Sequence, residues 1–216
     1  MADATRELTF LLAEPERRLL RAIAARLPSA LRSDHLTVLG VLGATGAGAA
    51  YALSTFSAVW LWAASAMLVV NWLGDSLDGT LARVRHHERP RYGYYLDHLV
   101  DAYSTVAVGV GIGLSPFVNL GIALVAVVLY LVLSINVYLE SAVFGAFRLG
   151  YGRFGPTEAR LILIGGNAVL ALGGGGGSAA VSTAANLGLA LLAAGMVGML
   201  VIRFARNLRE LAAAEP

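Results

Sequence analysis

The 216-residue chain predicts an all-α fold: a polytopic membrane protein of six transmembrane helices with an N-terminal amphipathic helix in the membrane interface. Three observations carry that expectation. Hydrophobic residues make up 57% and charged residues 14%, with a mean hydropathy of +0.70; a water-soluble domain of this length would carry far more charge. Several uncharged apolar runs reach about 20 residues, the length that crosses a bilayer. Arginines gather in alternate connections and are missing from the others.

The elements follow in order. Residues 1–32 carry Arg6, Arg17, Arg18, Arg21, Arg26 and Arg32. Pro15 suits a first helical turn. From there Leu19, Leu20, Ile23 and Leu27 fall on one side of a helical wheel, and Arg17, Arg18 and Arg21 on the other. Such a helix lies in the interface with its Arg face towards anionic headgroups; a surface helix docked on the bundle is the alternative. Glu14, Pro15, Glu16, Arg17 and Arg18 interrupt the apolar stretch, unlike a cleaved signal peptide.

The first span covers about 35–56 and is rich in Gly and Ala, which permits close helix approach. The second is apolar over about 57–73 and continues as helix to about residue 85. The third runs over about 93–114, the fourth about 116–147, the fifth about 156–172 and the sixth about 179–204. The Gly run 173–177 is a loop. One membrane-embedded domain, 1–216, is expected, with an interfacial region at 1–32 and a six-helix bundle at 33–206.

Connections near 54–58, 113–119 and 173–178 hold no charged residue. The N-terminal region, the 83–91 and 148–160 connections and the C-terminal tail hold nearly every Arg. The positive-inside rule then places both termini and the connection at 83–91 in the cytoplasm, in a cytoplasmic (inner) membrane. There is no cysteine, hence no disulfide and no thiolate metal site. No nucleic-acid partner is expected.

The chemistry concentrates between Asp75 and Asp101. Four carboxylates stand beside membrane spans, where such groups are costly without a partner or a task. Asp75 and Asp78 are i,i+3, and Asp97 and Asp101 are i,i+4, so each pair shares a helix face. Four clustered carboxylates repel, and without a counter-charge some are forced to bind protons. Divalent cations remove the conflict, and an all-oxygen set suits Mg²⁺, Mn²⁺ or Ca²⁺ rather than zinc. Two metals about 3.5–4 Å apart recur in phosphoryl displacement. His98, one residue from Asp97, points to another helix face and is expected to support the site structurally.

Small residues surround these carboxylates. Gly79 weakens a helix directly after a candidate ligand. It would let a substrate approach the backbone, as would Gly93 one turn before Asp97, and Ala82 extends the gap. Arg83, one turn beyond Gly79, can donate to a phosphate.

The pattern D-x2-D-G-x2-A-R-x9-G-x3-D-x3-D, formed by Asp75, Asp78, Gly79, Ala82, Arg83, Gly93, Asp97 and Asp101, resembles the signature of the CDP-alcohol phosphatidyltransferases. The six-span plan is also similar. A Ser33-Asp34-His35-Leu36-Thr37 segment resembles a Pro-Asn-x-Leu-Thr entry of many members, with Pro and Asn replaced, so only Thr37 carries over. The resemblance implies transfer of a phosphate-linked group from a CDP-linked donor to an alcohol, with release of CMP. It implies that Asp75, Asp78 and Asp97 hold two divalent ions, Mg²⁺ or Mn²⁺. Asp101 would be the general base and would also stand near the second metal. The CDP donor would meet Asp78, Gly79, Ala82, Arg83, Gly93 and Thr37. Membrane lipid and a second copy of the chain, as a homodimer, are the further partners implied.

Two versions of this chemistry share the motif. The short chain looks like the bacterial enzymes that use CDP-diacylglycerol and a small polar alcohol. The Asp97-His98-x-x-Asp101-Ala102 segment is similar to the type that moves phosphocholine or phosphoethanolamine from a CDP-aminoalcohol to diacylglycerol. A phosphorylated acceptor needs extra cations, and Arg148, Arg153 and Arg160 are candidates; topology signalling and headgroup contact explain them equally. Glu140, inside the fourth span, either binds the acceptor or pairs with an Arg such as Arg203. Thr157 and Glu158 fit helix capping. A cation-coupled transporter is the rival class. It would need carboxylates continuing across the membrane, and here they cluster at one side.

Overall fold

The structure is a computed structural model that describes residues 12–144, 155–173 and 179–214, and among them it forms seven helices and no strand. They are α1 (Ala13–Ala24), α2 (Ser33–Leu53), α3 (Trp60–Val84), α4 (Pro90–Leu114), α5 (Leu120–Phe144), α6 (Pro156–Leu172) and α7 (Ala179–Ala214). Over the described residues, each expected apolar run forms a helix. The starts shift where turn chemistry intervenes. Asn119 Oδ1 accepts from the Gly121 and Ile122 amides at 2.8 and 3.3 Å, so α5 begins at Leu120 rather than at Pro116.

Among the described residues, α2, α5 and α7 are long and apolar enough to cross a membrane. Helix α6 has only 17 residues, and α3 and α4 each give one end to carboxylates.

Helix α2 is the central packing element. It meets α3 on one side and α4 on the other; α6 packs on α3, α5 on α4, and α7 on α5. Two backbone contacts make that possible. A Cβ on Gly74 of α3 would fall 2.3 Å from the Gly40 nitrogen of α2. A Cβ on Gly111 of α4 would fall 2.3 Å from the Gly48 carbonyl oxygen. No side chain fits at either crossing, so α2 draws α3 and α4 together from behind.

One buried cluster, with Tyr51, Leu61, Leu68 and Phe117, fills the end remote from the carboxylates. A second joins Leu20 and Ala24 of α1, Leu36 of α2, and Leu77 and Leu81 of α3. Ile23 and Leu27 pack against it, so α1 turns its apolar side onto the bundle, as in the docked-helix alternative. Leu19 stays 51% exposed. The turn after α1 is pinned by Arg85, which donates to the carbonyls of Leu27 at 2.9 Å, Pro28 at 2.8 Å and Leu31.

Helix α3 closes with a Schellman motif. The His87 amide donates to Ala82 O at 3.0 Å and the His86 amide to Arg83 O at 3.2 Å. His86 occupies the left-handed position at φ 55°, where glycine is the usual residue. The chain then reverses, and Pro90 opens α4.

Candidate active site

Asp75 and Asp78 lie in the C-terminal half of α3, and Asp97 and Asp101 in the N-terminal half of α4. Because the two helices lean on α2 side by side, their acidic ends converge. One carboxylate oxygen each from Asp75, Asp97 and Asp101 lies within 4.8 Å of the others. The two helices thus offer a metal three oxygen donors at close quarters, the donor type hard divalent cations prefer. A positive group already reaches the cluster. Arg160 of α6 donates from Nη2 to Asp75 Oδ2 at 2.8 Å and from Nε to Asn71 Oδ1 at 3.1 Å. Asn71 is itself held, donating to Gly40 O at 3.0 Å. Three carboxylates around one guanidinium leave an excess of negative charge, which divalent cations fit.

Asp78 is not part of that close group. Its Oδ2 accepts from Thr37 Oγ1 of α2 at 2.6 Å, and its Oδ1 from the Gly79 amide. Thr37 therefore meets the motif through Asp78. The Arg83 side chain folds back along α3: Nη2 donates to Thr80 Oγ1 at 3.2 Å, and Nη1 would be 3.3 Å from a Cβ placed on Gly79. A Cβ on Gly93 would meet nothing within 4 Å. Ala82 is half-buried beside them.

His98 sits in an aromatic stack, its ring 4.1 Å from Tyr94 and 4.5 Å from Tyr138 of α5, with Nδ1 3.3 Å from Asp97 Oδ2. That packing agrees with a supporting place. Glu140 pairs with Arg203 of α7 at 3.5 Å, and its Oε1 accepts from Asn136 and Asn207 at 2.7 Å each. Of the three arginines considered for an acceptor phosphate, Arg160 stands on Asp75. Arg148 and Arg153 lie outside the described residues.

The family model of the CDP-alcohol phosphatidyltransferases matches residues 31–205. The chain belongs to the CDP-alcohol phosphatidyltransferase family. Membership makes it a phosphotransferase enzyme, and together with the apolar helices it marks an integral membrane protein. The fold is similar to the crystal structure of phosphatidylinositol phosphate synthase (PgsA1) from Mycobacterium tuberculosis, solved with CDP-DAG bound. The TM-score is 0.65 and the identity 26%, over 87% of this chain and 92% of that one. No curated protein sequence matches the chain.

Sequence reasoning missed three members of this region. Asn71 carried a signal, as a lone amide in an apolar run one turn before Asp75. Glu16 was visible only as an interruption of an amphipathic helix; its oxygen accepts from Trp72 and Thr157, which are 56 and 141 residues away. Tyr138 carried no signal, since an aromatic residue in a span is ordinary.

Proposed function

We propose that this protein transfers a phosphatidyl group from CDP-diacylglycerol to a small polar alcohol and releases CMP in phospholipid synthesis. The observation that carries this reading is the convergence of Asp75, Asp97 and Asp101 beside Arg160, at the acidic ends of two family-motif helices. The resemblance to a synthase solved with CDP-DAG supports the donor.

In this reading Asp75, Asp78, Asp97 and Asp101 hold two divalent ions, Mg²⁺ or Mn²⁺. When bound, these neutralise charge on the diphosphate and on the departing CMP. Thr37 keeps the Asp78 carboxylate oriented, as outer partners do for metal ligands. Asp101 accepts the proton of the acceptor hydroxyl. That oxygen forms a bond to the phosphorus that carries the diacylglycerol, and the bond from this phosphorus to the CMP oxygen breaks. Arg83 swings from Thr80 to the donor phosphates, and Gly79, Ala82 and Gly93 leave room for the cytidine. Positioning and charge neutralisation supply most of the acceleration.

The chain works as one domain, 1–216, with six spans, both termini and the site on the cytoplasmic face of the inner membrane, and as a homodimer. Helix α1 lies at the interface, presenting its arginines to headgroups while its apolar stripe holds the bundle.

The test is CMP release by purified protein with Mn²⁺ or Mg²⁺ and CDP-diacylglycerol. The alcohols are glycerol 3-phosphate, inositol phosphate, inositol, serine, glycerol and choline. At least one alcohol should yield CMP and the matching phospholipid. Release only from CDP-choline or CDP-ethanolamine with diacylglycerol would replace the donor. No release from either donor class would overturn the reading.

A further inference from the structure

A second polar junction sits beside the carboxylate cluster, and the proposed chemistry does not use it. Glu16 of α1 accepts three hydrogen bonds on Oε1: from Trp72 Nε1 at 2.6 Å, Thr157 Oγ1 at 2.9 Å and Ser76 Oγ at 3.4 Å. Trp72 and Ser76 are i,i+4 on α3 and bracket Asp75, three residues before it and one after. Thr157 is on α6, three residues before Arg160. Helices α3 and α6 therefore meet at two neighbouring rungs. In one, Arg160 reaches Asn71 and Asp75 directly. In the other, Thr157 and the Trp72–Ser76 pair meet through the carboxylate of α1. A further tie joins the ends of α1 and α6: Glu158 Oε1 accepts from the Leu12 amide at 3.0 Å, and its Oε2 from the Gly155 amide at 2.9 Å.

Docking α1 does not call for a carboxylate. Leu20 and Ala24 already bury its apolar side one to two turns further on. A half-buried carboxylate carries a desolvation cost that only well-placed donors offset. Three donors from two helices on one oxygen make a joint with defined angles, which apolar contacts do not.

We propose that Glu16 is a positioning residue for phosphotransfer. It bolts α6 to α3 one turn from Arg160, so that the guanidinium stays on Asp75 and Asp75 stays directed into the cluster with Asp97 and Asp101. The proposal rests on the phosphotransfer reading for its activity measurement and not for its binding measurement.

The test compares full-length wild type with Glu16→Ala, Glu16→Gln and Thr157→Val in lipid nanodiscs. CMP release gives kcat and donor KM, and electron paramagnetic resonance of free Mn²⁺ gives metal binding. Glu16→Ala should lower kcat about 10- to 100-fold with donor KM little changed, the signature of misplaced groups. Mn²⁺ should bind about tenfold more weakly, as when a ligand loses its outer support. Glu16→Gln keeps an acceptor oxygen at the joint and should recover most of both. Thr157→Val cuts only the α6 arm and should move both quantities the same way, less far. Wild-type kcat and Mn²⁺ affinity in Glu16→Ala, with only a lower Tm, would show a plain docking brace and overturn the proposal. If Glu16→Ala does not fold, unchanged values in Thr157→Val overturn it equally. A wild type that binds Mn²⁺ but releases no CMP would count against the function, while the Mn²⁺ comparison would still decide the role of Glu16.

Discussion

The Glu140–Arg203 pair and the Asp75–Arg160 pair join helices by the same two chemical groups, and they differ in what surrounds them. Between α5 and α7, Glu140 and Arg203 keep side-chain exposures of 5% and 8%. Asn136 and Asn207 both donate to Glu140 Oε1. Among the described residues, one buried carboxylate here pairs with one buried guanidinium. Between α3 and α6, Asp75 and Arg160 are 19% and 16% exposed, and Asp97 and Asp101 crowd the same carboxylate. There the negative charge exceeds the positive. The balanced pair holds two helices together. In the proposed function, the unbalanced one takes up cations, and with them the diphosphate of a donor.

The largest effect is expected at the unbalanced site: Asp101→Asn should reduce CMP release by about 10²–10⁴-fold while donor and metal still bind. Unchanged turnover would remove Asp101 as the base. At the balanced site, Glu140→Ala leaves the Arg203 guanidinium buried without its carboxylate. It should cost roughly 3–5 kcal/mol of stability, read as a lower unfolding midpoint. Asp97→Asn in metal-free buffer should show no such loss, because it relieves like-charge crowding. An equal loss in both variants would erase the distinction.

Metal should separate the sites next. Saturating Mn²⁺, at about 100 times its Kd, should stabilise the wild type by roughly 2.7 kcal/mol, and Asp97→Asn far less. Chelation should abolish CMP release. Arg83→Ala should raise donor KM about tenfold through loss of a charge-assisted phosphate contact. An unaltered KM would end that role. The smallest effect lies away from both pairs. His86→Gly relieves the left-handed backbone at the end of α3 and should add about 1 kcal/mol, seen as a small rise in Tm.

The motif was legible because its chemistry is local. Spacings of three and four residues place carboxylates on one helix face whatever the rest of the chain does, and Gly79 and Arg83 lie one turn away. The helices were legible because apolar runs of spanning length have few alternatives in a bilayer. The partner of Asp75 was not. Arg160 stood in an Arg-bearing connection with Arg148 and Arg153, and sequence patterning separates topology signals from site residues poorly. The alternatives for Glu140 stayed open for the same reason until α7 brought Arg203 to it.

The amino-acid sequence by itself determined the helical membrane class, the acidic motif and the family. All three rest on periodicity, hydropathy and short spacings, which neighbours in the chain decide. The tertiary structure decided which carboxylates meet, that Asp78 turns to Thr37, that Arg160 faces Asp75, and that Glu16 ties α1 to α3 and α6. Apart from the meeting of the carboxylates, these are contacts between residues 41 to 141 positions apart. The meeting of the carboxylates and the Thr37–Asp78 contact follow from the glycine crossings at Gly40–Gly74 and Gly48–Gly111, which bring α3 and α4 close against α2.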